Sequence, residues 1–267
     1  GRPPGRPGRP PVVQLFVFVH GICGAQSDWD VWKQRMALAG REDWDVRAAT
    51  SITPGAFFAG LDIRKLGGLL AEEVVGWVHE LLDSGAAVGL NFVCHSLGGL
   101  VVRAGLPQVC DALEGETSVT YGHVLTLSTP HLGIRGANLL MCWKNLALVI
   151  PQLLFKQVHE LTLQDGADVG NSAAGPSPGP WKLWNQGRRP RLLEELANPR
   201  GKSCSCLSRF RHLTAVAATH WDVVVPFCTA GICSLNPFPT PNVLLGDVRP
   251  FWRVEAAVGF REGGAFA

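Results

Sequence analysis

Residues 90–103 read Leu90-Asn91-Phe92-Val93-Cys94-His95-Ser96-Leu97-Gly98-Gly99-Leu100-Val101-Val102-Arg103. An apolar run leads into a His-Ser-Leu-Gly-Gly turn, and a second apolar run resumes beyond it at helical spacing. The order strand, sharp turn, helix holds a serine at a strained backbone position, where its hydroxyl projects above a sheet edge. Strand and helix crowd together at such a turn, so the residues two before and two after the serine must be small. Gly98 meets that need, and Cys94 is a small replacement for the more usual glycine. Ser96 is therefore the candidate nucleophile, and the turn reads as a nucleophile elbow.

Working outward, Val12–Val19 is a β-branched and aromatic run that ends in His20-Gly21, a buried strand followed by a glycine turn. Asp45–Thr50 gives a weaker strand. Leu66, Leu70, Val74, Trp77 and Leu81 recur at helical spacing, with Glu72, Glu73 and Glu80 off that stripe, so this segment predicts a helix covering a sheet face. His123–Ser128 and Leu213–Ala218 are further strands. Strands alternating with helices predict an α/β fold, a mainly parallel sheet with helices on both faces. In such folds the chemistry gathers at the carboxyl ends of the strands. His20, Ser96, His131 and Asp222 all fall at those ends.

The chain has 267 residues, of which 46% are hydrophobic, enough for one α/β domain with a full core. The formal net charge is +2, and setting aside Arg2, Arg6 and Arg9 leaves 21 basic against 22 acidic residues. That balance excludes a general basic field and argues against a nucleic-acid partner. Residues 1–11 are Gly, Arg and Pro only, with no apolar stretch, and are expected to be disordered rather than a signal peptide. Residues 12–267 are expected to form a single domain, with a flexible Gly/Pro/Ser/Asn-rich insertion at about 166–190. No apolar run reaches membrane-spanning length. The nearest, Leu139–Phe155, is broken by Lys144, Asn145, Pro151 and Gln152, and reads equally as a lid over an acyl groove or as a core helix. Eight scattered cysteines, several in apolar segments, read as free thiols in an intracellular compartment, cytoplasmic or at the periphery of a membrane. No set of residues has metal-ligand spacing; Cys204-Ser205-Cys206 lacks a matching pair. No metal and no organic cofactor is expected.

Several segments together resemble one family. They are Val19-His20-Gly21-Ile22-Cys23-Gly24 with Asp28-Trp29, then Leu66-Gly67 with Leu70–Val74, then the Cys94–Arg103 turn and helix. Leu127-Ser128-Thr129-Pro130-His131-Leu132-Gly133, Leu161–Asp165 and Asp222–Phe227 with Thr229-Ala230 complete the series. In this order they are similar to the serine esterase, lipase-like domain family of the α/β-hydrolase superfamily, over about residues 12–232. The resemblance implies an α/β-hydrolase fold and hydrolysis of ester bonds in a small molecule, a lipid or acylglycerol among them.

Candidate roles follow. Ser96 needs a base, because a free serine hydroxyl is a weak nucleophile. The oxyanion hole is expected from the backbone N–H groups of Leu97 and of Ile22 in the loop after the first strand, with Gly21 allowing close approach. Asp222 is the candidate acid, holding the base in its correct tautomer. His20, His95, Gly98 and His131 are expected to shape the site. In this fold the acid precedes the histidine in the chain, yet no histidine lies among the 45 residues after Asp222. Three readings stay open: the natural chain continues beyond Ala267, its C-terminus here is aberrant, or the protein is a catalytically incomplete scaffold. Among the histidines present, His131, His220 and His95 each read as structural first; if one of them served as a surrogate base, His131 would lead. Esters and thioesters, which call for the same machinery, are not separated by these residues.

Overall fold

The structure is a computed structural model that describes residues 10–22, 24–53, 61–134, 157, 160–161, 191–219, 222 and 225–233. The expected insertion at 166–190, the Leu139–Phe155 segment, residues 1–9, Cys23, Cys142 and His220 lie outside the described residues.

Five strands form one sheet: β1 (Val12–Val19), β2 (Trp44–Ala48), β3 (Ala87–His95), β4 (Val119–Leu127) and β5 (His212–Val216). Their order is β2-β1-β3-β4-β5, and every pairing is parallel. The central strand β3 is buried from Val88 to Cys94, as expected of a strand covered on both faces. Where β3 meets β4 the register shifts between Leu90 and Phe92. The Asn91 side chain fills that irregularity, its Oδ1 accepting from the His123 N–H (2.9 Å) and its Nδ2 donating to the Leu15 and Gly89 carbonyls.

Helix α1 (Asp30–Leu38) and the short 3-10 turn before it cover one face, where Trp29 and Met36 pack on Phe16, Phe18 and Val93. The other face carries α2 (Ile63–Asp83) and α3 (Gly98–Ala112), with α4 (Leu192–Ala197) and α5 (Lys202–Leu207) beside them. Helices therefore lie on both faces, as the alternating pattern predicts. Helix α2 begins where the Asp62 carboxylate accepts from the Lys65 N–H, and it buries Ile63, Leu66, Leu70, Val74 and Val78 in one stripe. Each such side chain contributes about 1.5–3 kcal/mol by leaving water. Gly67 and Gly105 let α2 and α3 cross with their backbones touching: a Cβ on Gly67 would stand 2.7 Å from the Gly105 nitrogen. Arg47 holds the β2 edge to α2 through Asp45 and Glu80.

Among the described residues Cys94, Cys110, Cys204, Cys206, Cys228 and Cys233 are free thiols. No helix among them is long and apolar enough to cross a membrane.

The strand order places a reversal of winding between β1 and β3. From β1 the chain moves outward to β2, then crosses back to β3 and continues outward on the opposite side. Crevices at the carboxyl end of such a reversal are where open α/β sheets bind ligands. The β1 loop and the turn after β3 meet there.

Candidate active site

Ser96 and Leu97 form the whole connection between β3, ending at His95, and α3, starting at Gly98. Ser96 has φ 51°, in the left-handed region that an L-residue occupies at a cost. Its N–H donates to the Leu127 carbonyl of β4 (2.8 Å), so the last ladder bond of the sheet pins the serine backbone. The strand and helix expected from the sequence flank this turn as read.

Small neighbours are required by contact. A Cβ on Gly98 would lie 2.5 Å from the Val19 carbonyl oxygen and 2.6 Å from that of His20, so the first turn of α3 rests directly on the end of β1. Gly99 faces the Thr129 side chain, whose methyl would stand 2.7 Å from an added Cβ. Cys94, two residues before Ser96, is fully buried, and burial pushes its thiol far above the ordinary range. It is a neutral packing residue and no rival to the serine.

The loop after β1 closes on the serine from the other side. A Cβ on Gly21 would stand 2.7 Å from Ser96 Cβ. A tight turn follows, with the Gly24 N–H donating to the Gly21 carbonyl (3.1 Å). Among the described residues neither the Ile22 nor the Leu97 N–H donates to a protein acceptor. His20 is buried, and its Nδ1–H donates to the Gly21 carbonyl (2.9 Å), bracing the loop. His95 is exposed at the end of β3.

His131 follows β4 and is buried beneath its own loop. Arg103 Nη1 donates to its Nδ1 (3.1 Å), which leaves the ring proton on Nε2 to donate to Thr126 Oγ1 (2.9 Å). Arg103 also donates to the Leu196 carbonyl (2.8 Å). Burial first, and the neighbouring Arg103 charge second, push the His131 pKa down to about 3. Burial likewise lowers that of Arg103. Both ring nitrogens are thus engaged and the ring stays neutral. His131 is a strut between α3 and β4, and an engaged ring of this kind does not favour the surrogate-base reading.

Asp222 lies six residues beyond β5 and is half-buried. Its Oδ1 accepts from the Val225 N–H (2.8 Å). Helix α6 (Phe227–Ala230) follows, and Thr229 fastens it to the loop after β4. Its hydroxyl accepts from the Leu132 N–H (2.9 Å) and donates to the Gly133 carbonyl (2.8 Å). The segment that follows Asp222 is therefore tied to the same carboxyl edge that carries Ser96 and His131.

Two residues of this edge carry signals that the sequence reading left unused. Arg103 interrupts an otherwise apolar helix start, and its guanidinium serves as a hydrogen-bond donor inside the fold, to His131 and to the Leu196 carbonyl. Ser128 sits at the end of β4 with φ 47°, the same backbone state as Ser96. Among the described residues no group of three or more His, Cys, Asp or Glu is placed to hold a metal ion.

The family described as "Putative serine esterase (DUF676)" matches residues 11–235. No curated protein sequence matches the chain significantly. Among solved structures, the rice cell wall degrading esterase LipA from Xanthomonas oryzae is 13% identical, over 84% of this chain and 69% of that one (TM-score 0.37). Phospholipase PlaB from Legionella pneumophila is 15% identical over 57% of this chain (TM-score 0.41), and the match spans only 33% of the phospholipase. The RedJ thioesterase of the prodiginine pathway in Streptomyces coelicolor is 17% identical over 62% of this chain and 71% of that one (TM-score 0.33).

Proposed function

The chain belongs to this serine esterase family, and from that premise we propose that Ser96 is the nucleophile for hydrolysis of a small-molecule ester, a lipid or acylglycerol. The observation that carries the reading is the left-handed Ser96 between β3 and α3, with Gly21 against it at the reversal of the sheet. Ser96 Oγ forms a bond to the ester carbonyl carbon, and the carbonyl oxygen becomes an oxyanion. The Leu97 and Ile22 N–H groups stabilise it; losing one such donor typically costs about 10²–10³ in turnover. Collapse breaks the bond to the leaving oxygen, which takes the proton first held by Ser96, relayed by a base. Water then releases the acid. Asp222 orients that base. A peripheral contact with a lipid surface fits such a substrate.

The deciding experiment is labelling of purified protein with a fluorophosphonate probe, with Ser96→Ala as control. Label on Ser96, absent from the variant, is the expected result. A folded protein that takes no label there refutes the assignment. A second reading, a hydrolase-fold scaffold that binds an ester without turning it over, is favoured by one observation: both ring nitrogens of His131 are engaged. Label without turnover supports it.

A further inference from the structure

Three non-glycine residues among those described have left-handed backbone: Ser96 (φ 51°), Ser128 (φ 47°) and Ile232 (φ 54°). The first two are related by the sheet. Cys94 pairs with Thr126 and His95 with Leu127, so the register carries Ser96 opposite Ser128. Each leaves its strand by the same bond to the next one: the Ser96 N–H to the Leu127 carbonyl and the Ser128 N–H to the Val216 carbonyl, both 2.8 Å. Parallel strands run about 4.8 Å apart, and the same φ after the same ladder bond sends both side chains off in the same sense. Ser128 is half-buried, and its hydroxyl makes no hydrogen bond to a described residue. A serine in this conformation is disfavoured where glycine would be at ease, and residues kept so cluster at functional sites.

The flank matters. β1, with Gly21 and Ile22, lies on one side of β3, and β4, with Ser128, lies on the other. A carbonyl oxygen drawn toward the β1 loop leaves the departing group of the ester over β4. We propose that Ser128 is the hydroxyl on the leaving-group side of the site, donating a hydrogen bond to the leaving oxygen and so favouring oxygen esters over thioesters. This rests on Ser96 as the nucleophile. Ser128 keeps its proton throughout; the leaving oxygen receives the one that Ser96 gives up. Sulfur accepts hydrogen bonds weakly, so a thiolate leaving group gains little from this hydroxyl.

The test uses two alkylphosphonates that differ only in the group displaced by Ser96, phenoxide or thiophenolate, with labelling rates at Ser96 followed by mass spectrometry. Ser128→Ala removes the hydroxyl, and Ser128→Gly also relieves the backbone, so at least one variant folds as the parent does. In both, the rate ratio of phenoxide to thiophenolate reagent should fall about three- to tenfold, the worth of one hydrogen bond, with the thiophenolate rate unchanged. An unchanged ratio, or an equal fall with both reagents, overturns the proposal for Ser128 alone. Absence of label on the parent protein overturns the Ser96 assignment, and this one with it.

Discussion

Gly21 and Ser96 touch: a Cβ on Gly21 would stand 2.7 Å from Ser96 Cβ, 3.3 Å from its Oγ and 3.2 Å from the His95 carbonyl oxygen. None of these is the far end of a flexible side chain, so nothing can move aside cheaply. The contact joins the loop after β1 to the turn after β3 across the reversal of the sheet, and sets how near the Ile22 N–H comes to the serine. Gly21→Ala should displace one of the two segments by a sizeable fraction of an ångström. The rate of Ser96 labelling should then drop about 10²-fold, the usual cost of misplacing reacting groups. Thermal unfolding measured alongside should show the protein still folded; labelling at the parental rate would show that the loop is free to shift.

Ser96 pays for its position in backbone strain. Replacing it with glycine, which adopts φ 51° without penalty, should raise stability by about 1 kcal/mol while abolishing labelling. Urea denaturation of the parent, Ser96→Gly and Ser96→Ala separates strain from hydroxyl loss. Glycine no more stable than alanine would mean that the turn is relaxed.

His131 makes stability depend on pH. Folded, its ring stays neutral down to about pH 3, because it is buried beside Arg103; unfolded, it takes up a proton below its ordinary value of 6.5. Between those values the unfolded chain binds more protons, so stability falls as pH falls. From pH 6.5 to 4 the loss attributable to this ring is about 3 kcal/mol. The stability advantage of the parent over His131→Gln, measured in urea, should therefore shrink steadily from pH 7 to 4. A constant difference would show that the ring titrates in the fold as it does in the unfolded chain.

The 267-residue chain should hydrolyse a 4-nitrophenyl ester slowly, roughly 10⁴- to 10⁶-fold below a serine hydrolase with a complete triad. His131→Gln should not slow it further at pH 7, since that ring has no lone pair to offer. Robust Ser96-dependent turnover, lost in His220→Ala with folding intact, would identify His220 as the base and end this expectation.

Much of the fold was legible in residue order. The apolar runs at 12–19 and 90–94 and the helical stripe from Leu66 to Leu81 are local patterns, and each became the element it predicts within a few residues. A small-Ser-x-Gly turn between such runs constrains the backbone by sterics alone, so the conformation of Ser96 could be read before any contact was known. Strand order, register and pairing are not local. Only the folded sheet decided that Ser96 and Ser128 stand side by side, that Gly21 abuts Ser96, and that α6 ties the Asp222 segment to the loop after β4. The fate of His131 is the clearest case. As a residue type at a strand end it admits two readings, a loop-shaping residue or a surrogate base. Burial against Arg103 and Thr126, groups 28 and 5 residues away in the chain, turns it into a neutral strut, because desolvation and a neighbouring positive charge both disfavour its charged form.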